Sequence, residues 1–290
     1  MSDPSHDPWL RAARAIVADH VGRATVEVLA STAVHAVLLV RSPDALLVLK
    51  VAPTDARPAL DYGRSATAQR LAHAAGVPVG AVVATGEVSA VQFLLQEQVD
   101  GVEWRRVRTL LRPAEVAAAS ADIARAVLAI QSVALPSFGA LDDPAAPPLV
   151  DALRARIALR IPEGPRRSTA QDVLERHADL FAGPVRPTLT HDDLHHANLL
   201  FRSGPSGWSL AGVLDWDKAW AGPAESDVAR MAFWDDMTDA AFWRVYRAEM
   251  PASDGWEQRA MVHQLLWCLE YVVDTARHRQ DSATLVARLR

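Results

Sequence analysis

The chain has 290 residues, of which 50% are hydrophobic and 22% are charged, proportions that are ordinary for a globular protein. The formal net charge is -5 at pH 7 and no Lys/Arg-rich block is present, so we expect neither a nucleic-acid partner nor a membrane partner. Cys268 is the only cysteine, which excludes an intrachain disulfide bond and a zinc site with several cysteine ligands.

The first hundred residues are predicted to form a β-rich unit with one central helix. Apolar residues at helical spacing predict a helix at 9–20, and the central helix at 64–76 would end at Gly76. Short apolar runs between turn residues predict five strands, at 25–30, 33–42, 45–53 and in two further runs between Val77 and Gln98.

The remainder of the chain has a mainly helical pattern. A long helix starts at Pro113, and the Pro-rich segment 138–150 follows it as a connector. Further predicted elements are helices at 151–161, 168–181 and through most of 224–290, and a strand at 209–217. The chain start has no apolar segment typical of a signal peptide, and no run of about 18 apolar residues could span a bilayer. We therefore expect a cytoplasmic protein, monomeric or dimeric.

The segment LTHDDLHHANLLF, residues 189–201, concentrates polar side chains between two apolar runs. One interpretation is a metal-dependent hydrolytic site, because histidines and carboxylates bind zinc or manganese. However, His195 and His196 are adjacent, so their side chains point apart. His191 and His195 would share a face only on a helix, and the nearby prolines favour a loop.

A second interpretation of this segment starts from the spacing of its other polar residues. Asp193 and Asn198 are five residues apart, and Asp215 follows at the end of a later apolar run. Phosphoryl transfer needs a carboxylate at the attacking hydroxyl and hard oxygen ligands that hold magnesium against the nucleotide phosphates. Protein kinases have the same Asp-to-Asn spacing, followed by an aspartate.

A strand lysine strengthens the kinase interpretation. Lys50 lies in the predicted strand LLVLKV, and of 30 basic residues only Lys50 and Lys218 are lysine. A lysine kept in so arginine-rich a chain indicates a chemical requirement, and kinases need a strand lysine at the nucleotide phosphates. The ordered series Lys50, Asp193, Asn198 and Asp215 is more specific than any one of its members.

Several segments together resemble the aminoglycoside phosphotransferase and choline kinase-like superfamily. LTHDDLHHANLLF is similar to its motif H-G-D-L-H-P-G-N, and GVLDWDKAWAGPAESDVARM to its segment IDWE…GDPAYDLA. LAHAAGVPVGAVVATGE resembles the family's helix ending in GVPVP, and FLLQEQVDGVEW resembles the hinge LLLEYVPGR. The resemblance implies an α+β, bilobal protein-kinase-like fold. A small β-rich N-terminal nucleotide-binding lobe (1–100) would be joined by a hinge at about 97–101 to a larger, mostly helical C-terminal lobe (101–290).

The resemblance also implies a role for each matching residue. Asp193 would be the catalytic base, His191 would brace its loop, and the buried Asp227 would support that loop. Asn198 and Asp215 would bind Mg²⁺. The nucleotide, ATP or GTP, would contact Lys50, Ser31 and Thr32 with its phosphates and the backbone of Glu97 to Val99 with its base.

The sequence departs from the family pattern at several points. Asp192 replaces the usual glycine beside the base, and the segment 31–35, where a phosphate-covering loop belongs, has no glycine. The helix glutamate that should pair with Lys50 is missing: its place falls near Arg64, so either Asp61 pairs with Lys50 or nothing does. These departures motivate an alternative function, a catalytically degenerate kinase-like protein that binds a ligand.

The acceptor is expected to bind against the C-terminal lobe. Residues 215–274 contain twelve acidic and five Lys/Arg side chains, which would suit a cationic acceptor such as an aminoglycoside or other antibiotic, a sugar or an amino alcohol. A solvated helix surface is the alternative. The candidate acceptor-binding residues are Asp217, Trp220, Trp234, Trp267, Glu270 and Asp274. The sequence thus predicts a magnesium-dependent small-molecule kinase, with an antibiotic-modifying and a metabolic role both open.

Overall fold

The computed structural model of the protein describes residues 8–142, 145–205, 207–271 and 275–290. In its N-terminal region five antiparallel strands form one sheet, and their bounds are β1 Thr25–Ser31, β2 Ala36–Arg41, β3 Leu46–Pro53, β4 Val82–Val88 and β5 Val91–Glu97. Their order in the sheet is β1-β2-β3-β5-β4. Two helices accompany the sheet, α1 Pro8–His20 and α2 Tyr62–Ala74.

The alternation of side chains along β3 places Lys50 on the face of the sheet that does not carry α1. Leu49 and Val51 are fully buried in one cluster with Ile16 of α1. Because successive side chains of a strand point to opposite faces, Lys50 points the other way. That face also packs on α2, where Ala52 of the same strand contacts the Tyr62 cluster.

The C-terminal region is mostly helical. Its helices are α3 Trp104–Val107, α4 Pro113–Ser132, α5 Leu149–Arg160, α6 Pro165–Arg176, α7 Glu225–Met231, α8 Ala240–Glu249, α9 Trp256–Glu270 and α10 Ala276–Arg288. The long α4 starts with Pro113 at its first turn and buries Ile123, Val127 and Ile130 at helical spacing in the main core of this region. No helix of the described residues is both long enough and apolar enough to cross a membrane.

Short strands bring the polar segments of the C-terminal region together. These strands are β6 Val102–Glu103, β7 Pro187–Thr190, β8 Leu199–Gly204, β9 Gly207–Val213 and β10 Trp220–Pro223. β6, β8 and β9 form a three-stranded sheet, and β7 pairs with β10. The polar loop, residues 191–198, therefore connects β7 to β8, and residues 214–219 connect β9 to β10. The two connections lie side by side because both join the same two sheets.

Residues 98–101 link the two regions and pack tightly on the β8–β9 hairpin. A Cβ atom on Gly101 would lie 2.9 Å from the Leu200 Cβ, and one on Gly212 would lie 2.6 Å from Val99 Cγ1. The backbone of the link can approach the hairpin this closely only because both positions are glycine.

The predicted α+β architecture, β-rich at first and mostly helical afterwards, is confirmed. One predicted strand, 209–217, was too long: β9 ends at Val213, because Asp215 adopts a left-handed φ of 65° and residues 216–218 form a helical turn. Strand β10 was not predicted. It contains Gly222, where a Cβ would lie 2.6 Å from the Trp220 ring, so its glycine reflects close packing rather than a turn.

Candidate active site

A buried carboxylate holds the backbone of the polar loop. Asp227 of α7 is fully buried, and its two oxygens accept hydrogen bonds from the backbone N–H of His191 (3.0 Å) and of Asp192 (2.7 Å). Burial raises the pKa of Asp227 above its ordinary value. The start of the loop is thus fixed to α7 by two adjacent hydrogen bonds to one side chain.

His191 ties the polar loop to the segment that carries Asp215. Its Nε2 donates to the Leu214 carbonyl at 2.7 Å, and its Nδ1 accepts the backbone N–H of Asp193 at 3.2 Å. This pattern requires a neutral imidazole with its proton on Nε2. The ring also packs on Trp216, with 4.6 Å between centroids. These contacts place His191 between Asp193 and the Asp215 segment, in the position of a brace.

Asp192, the acid beside the proposed base, has a structural explanation. Its φ is 64°, in the left-handed region that glycine, asparagine and aspartate adopt most readily. Its side chain is 1% exposed and lies between Arg156 of α5 and Arg230 of α7, whose Nε is 3.0 Å from Oδ1. The aspartate therefore keeps the turn for which the family uses glycine, and two guanidinium groups balance its charge.

Asp193 lies at the centre of the polar loop and faces a lysine. Its Oδ1 is 3.2 Å from Lys218 Nζ, and its side chain is 14% exposed. The Asn198 side-chain amide donates from Nδ2 to the Asp193 carbonyl at 3.0 Å, which leaves the Asn198 Oδ1 as the oxygen that could bind a cation. Thus the five-residue spacing brings the proposed base and the proposed ligand together in one loop.

Lys50 pairs with two aspartates of the C-terminal region. Its Nζ is 2.7 Å from Asp215 Oδ1 and 2.9 Å from Asp217 Oδ2. The expectation that Asp61 or nothing would pair with Lys50 is therefore wrong. Asp61 instead caps α2, because its side chain accepts the backbone N–H of Gly63 (2.9 Å) and of the next residue, and it also faces Arg57 at 3.2 Å.

The three charges at this point set one another's protonation. Burial alone would lower the pKa of Lys50, but Asp217 and Asp215 together raise it above its ordinary value. Lys50 in turn holds the pKa of Asp215 well below its usual range, whereas burial raises the pKa of Asp217. Asp215 is thus the carboxylate of the two that stays ionised.

A cavity of about 620 Å³ opens between the N-terminal sheet and the β8–β9 hairpin. Its apolar walls include Val37 and Val48 from the sheet and Leu200 from β8, and its polar end contains Lys50, Asn198, Asp215 and Asp217. The volume is within the range of small-molecule and cofactor sites. The apolar walls suit the base of a nucleotide. The lysine and the oxygen ligands at the polar end suit its phosphates and their metal ion.

The two hinge residues predicted at the nucleotide base differ in position. Val99 lines this first cavity, and in the part of the chain that the structure describes its N–H makes no backbone hydrogen bond. Glu97 does not line it: its N–H donates to the Ala81 carbonyl at 2.9 Å and its side chain is exposed. The Glu97 N–H is thus occupied inside the sheet.

The predicted phosphate contacts from Ser31 and Thr32 do not reach the first cavity. The Thr32 hydroxyl accepts the backbone N–H groups of Val34 (3.2 Å) and His35 (3.1 Å), so it closes the turn between β1 and β2. Ser31 is exposed at the end of β1. His35, which the sequence did not single out, lines the cavity instead.

A second cavity, of about 290 Å³, adjoins the first one at Asp217, which lines both. It lies between the start of α2, the helix α5 and the strand β10. Trp220, predicted to contact the acceptor, is buried in its wall beneath Arg156, whose Cζ is 4.7 Å from the ring centroid. Asp217 therefore has two neighbours, Lys50 on one side and this cavity on the other.

The remaining predicted acceptor residues lie elsewhere. Trp267 is 3% exposed and lies in the hydrophobic cluster around α9. Trp234 is half-buried and packs against Trp267 and His195. Glu270 is buried and paired with Arg230 at 3.3 Å. Of these three, none lines the first or the second cavity, so their predicted contact with the acceptor lacks support. Asp274 lies outside the described residues.

The acidic surface expected at residues 215–274 does not line the second cavity. Asp217 is the one described acid of that range in its wall. Several of the others are used in the fold: for example, Glu225 pairs with Arg259 at 2.6 Å and Asp239 caps α8. An ion pair and a helix cap account for these two acids.

The histidines of the polar loop do not form a metal centre. Among residues 8–142, 145–205, 207–271 and 275–290, no three His, Cys, Asp or Glu side chains are grouped so that they could hold a metal ion. Asn198 and Asp215 fit magnesium instead, because both offer hard oxygens at one end of the first cavity. Magnesium typically takes one or two protein ligands and completes its shell with phosphate and water.

Two kinds of residue near the candidate site are not identified by the sequence pattern. Lys218 had a signal, as the second lysine of an arginine-rich chain, but no role was assigned to it. Arg156, Arg160 and Arg230 had no signal, because three among 28 arginines cannot be singled out by residue type. Their positions follow from the packing of α5 and α7 against the polar loop.

Comparisons with known proteins agree with this geometry. The model of the family described as "Phosphotransferase enzyme family" matches residues 25–262. No curated protein sequence matches the chain. Aminoglycoside phosphotransferase APH(4)-Ia is similar in structure, with a TM-score of 0.68, 18% identity and coverage of 97% of each chain.

Two further solved structures have the same fold. The streptomycin-ATP-APH(2")-IIa ternary complex has a TM-score of 0.64 and 16% identity, and 95% of each chain is covered. Choline kinase LicA from Streptococcus pneumoniae has a TM-score of 0.63 and 15% identity, with 96% of this chain and 98% of that chain covered. With most of its length matched, the chain belongs to the phosphotransferase enzyme family and is a phosphotransferase with a kinase-like fold.

Proposed function

We propose that the protein is a magnesium-dependent small-molecule kinase that transfers the γ-phosphoryl group of ATP or GTP to a hydroxyl of a small acceptor. The observation that carries the proposal is the grouping of Lys50, Asn198 and Asp215 at the polar end of one cavity, with Asp193 in the same loop as Asn198. In this proposal residues 1–100 bind the nucleotide, and residues 101–290 carry the catalytic and acceptor-binding residues.

The nucleotide would lie in the first cavity with its base against Val99 and its phosphates at Lys50. Asn198 and Asp215 would hold Mg²⁺, which neutralises phosphate charge when it is bound. The similarity to a complex that contains ATP supports a nucleotide donor. Lys50 would supply positive charge to the phosphates; its partners in the structure are Asp215 at 2.7 Å and Asp217 at 2.9 Å.

Asp193 would accept the proton of the acceptor hydroxyl as its oxygen bonds to the γ-phosphorus. Lys218, whose Nζ is 3.2 Å from Asp193, would stabilise the negative charge that develops during phosphoryl transfer. The acceptor would enter the second cavity, which shares Asp217 with the first one. In this proposal the substrates lie on either side of Asp217. Asp217 belongs to the connection 214–219, which is tied to the polar loop by the hydrogen bond between His191 and the Leu214 carbonyl, so the hydroxyl would approach Asp193 from this connection.

The test is turnover of ATP and of GTP with Mg²⁺ and a panel of hydroxylated acceptors. We expect Asp193→Asn to lower kcat by about 10²–10⁴-fold, since that is what a general base contributes. Asp172→Asn is the matched control, because Asp172 is exposed on α6 and contacts none of these groups. Full activity of the Asp193→Asn enzyme would contradict the proposed role.

The alternative of a catalytically degenerate binding protein predicts a different outcome. Two departures motivate it, the missing helix glutamate and the glycine-free segment 31–35. Lys50 has two carboxylate partners, which removes the first motive and leaves the second. Thermal stabilisation by Mg²⁺ and ATP without turnover of any acceptor would favour the alternative. Turnover that depends on Asp193 would exclude it.

A further inference from the structure

The wall of the second cavity is cationic, which bears on the charge of the acceptor. Its charged side chains are three arginines, Arg64, Arg156 and Arg160, and two aspartates, Asp61 and Asp217. Both aspartates have partners within the protein, since Asp61 faces Arg57 and Asp217 faces Lys50. Two of the three arginines also face a carboxylate, since Arg64 lies 3.7 Å from Asp61 and Arg156 pairs with Asp192.

Arg160 differs from the other two arginines of this wall. No carboxylate of the described residues lies within ion-pair distance of its guanidinium, which donates only to the carbonyls of Ala59 (3.1 Å) and Asp217 (3.3 Å). Burial lowers the pKa of Arg160 below its ordinary value. A largely buried cation without an anion destabilises the fold, because the charge has lost water without gaining a partner. A ligand that supplies the anion restores that stability.

Other residues of the same wall also carry unused hydrogen-bond donors. The Nε atoms of Arg156 and Arg160 and the Nε1 of Trp220 are buried and lack a hydrogen-bond partner. Such groups are rare in proteins, and here three donors belong to residues that line one cavity. The rest of its surface is mostly apolar, including Pro58, Ala155 and Leu159. A compact ligand with an oxygen-rich anionic end and a less polar body fits this distribution.

We propose that the acceptor is a hydroxy acid, whose carboxylate pairs with Arg160 in the second cavity while its hydroxyl faces Asp193. This inference rests on the proposed function. In the reaction the hydroxyl oxygen bonds to the γ-phosphorus, the bond from that phosphorus to the β,γ-bridging oxygen breaks, and the hydroxyl proton passes to Asp193 and then to solvent. The products are the phosphorylated hydroxy acid and ADP or GDP. A carboxylate matches the planar guanidinium, because the two groups can form two parallel hydrogen bonds.

The test compares acceptors that differ only in the charge of one end. Three matched sets serve as probes: gluconate, glucitol and glucamine; glycerate, glycerol and 3-amino-1,2-propanediol; mandelate, phenylethanediol and 2-amino-1-phenylethanol. Binding of each is measured by calorimetry to the enzyme that holds Mg²⁺ and a non-hydrolysable ATP analogue. We expect the acid of at least one set to bind about 10–100-fold more tightly than its neutral counterpart. Absence of this preference in all three sets would overturn the proposal.

Variants assign the preference to Arg160. In Arg160→Gln we expect the acid and the neutral compound to bind equally, whereas Arg160→Lys, which keeps the charge, should retain part of the preference. Arg154→Gln is the matched control: Arg154 is on the same helix but pairs with Glu175 at 2.6 Å on the surface, and its replacement should leave the preference intact. An unchanged preference in Arg160→Gln would overturn the assignment.

Failure of this inference can be told apart from failure of the proposed function. Binding of Mg²⁺ and the ATP analogue is measured first and does not depend on the acceptor. If the analogue binds and amines or neutral polyols are preferred and phosphorylated, the kinase function stands and the hydroxy-acid inference falls. If the analogue does not bind at all, the proposed function fails before any acceptor is added.

Discussion

The ion pair between Lys218 and Asp193 gives the proposed base a cationic neighbour at the place where charge is transferred. Lys218 is the last residue of the helical turn that follows the left-handed Asp215, and its Nζ lies 3.2 Å from Asp193 of the polar loop. Its partner aspartate is 14% exposed, so water screens the pair less than it screens a surface ion pair. In the proposed reaction a cation in this position would stabilise the phosphoryl group as it moves.

For Lys218→Met we therefore expect kcat to fall by about 10²–10³-fold, with the KM for nucleotide changed little, since Lys218 does not line the first cavity. Steady-state kinetics at saturating acceptor measure both constants. Lys218→Arg, the matched control, keeps the charge and should retain much of the activity. A large rise in nucleotide KM at constant kcat would indicate a binding role instead.

The histidines that follow Asp193 predict a loss of stability in acid. Burial lowers the pKa of His195 and of His196 below the ordinary value of 6.5. Just below pH 6.5 these histidines bind protons in the unfolded chain but not in the folded chain. Their contribution to the free energy of unfolding is therefore highest above pH 6.5 and falls as the pH decreases below it. His196→Gln should lose less stability than the wild type between about pH 7.5 and about pH 5.5.

Urea unfolding of both proteins at the two pH values checks this prediction. His73→Gln is the control, because the His73 imidazole is exposed on α2 and its removal should leave the pH dependence of the wild type unchanged. An identical pH dependence in the His196→Gln protein would contradict the prediction.

At the residue scale, local spacing predicted part of the site. Asp193 and Asn198 belong to one loop, so their five-residue separation is visible in the sequence. The partner of Lys50 was not visible, because Asp217 is 167 positions away and replaces a helix glutamate that the family pattern puts near Arg64. A substitution of this kind depends on which two segments the fold brings together, and no local pattern records it.

At the scale of elements, Asp192 connects the polar loop to two helices. Its carboxylate meets Arg156 of α5 and Arg230 of α7, and Arg230 continues to Glu270 at the end of α9. Burial alone would raise the pKa of Glu270, but Arg230 and Arg156 hold it below its ordinary value. The loop, α5, α7 and α9 are thus joined by one buried set of charges.

Asp192→Gly tests this connection, because glycine accepts the left-handed φ of 64° but removes the carboxylate. We expect a loss of about 3–5 kcal/mol in the free energy of unfolding, as two buried guanidinium groups lose a partner. The double variant Asp192→Gly with Arg156→Met should recover part of the loss, since one unpaired cation is then removed. Urea unfolding measures both. An unchanged stability of Asp192→Gly would show that the turn alone matters at this position.

The elements themselves followed from local patterns where packing is simple. The helix from Pro113 was predicted from its apolar spacing and its N-terminal proline, and α4 begins there. The strand predicted at 209–217 extended past its true end, since an apolar run followed by aspartates gives no sign that Asp215 is left-handed. That conformation is imposed by tertiary contacts, among them the hydrogen bond from the Leu214 N–H to the Asn198 carbonyl at 2.8 Å.

For the whole molecule, the link at residues 98–101 is supplemented by a few charged contacts across the cleft. Lys50 of the N-terminal sheet reaches Asp215 and Asp217, and Arg160 of α5 donates to the Ala59 carbonyl. These contacts surround the two cavities, so a nucleotide bound between the regions would add to the same interface. Binding and folding should therefore be coupled.

The last prediction concerns this coupling. Mg²⁺ and a non-hydrolysable ATP analogue should stabilise the wild type by about 2.7 kcal/mol when the free analogue is at about 100 times its Kd, because it binds the folded state alone. Removal of Mg²⁺ with EDTA should reduce the effect, since Asn198 and Asp215 act on the phosphates only through the metal.

In Lys50→Met the stabilisation should be largely lost, as the phosphates lose a charge-assisted partner. Arg41→Met, on the exposed end of β2, is the matched control and should be stabilised like the wild type. Thermal unfolding of the three proteins with and without analogue decides the matter: equal shifts in all three would mean that the nucleotide does not bind at Lys50.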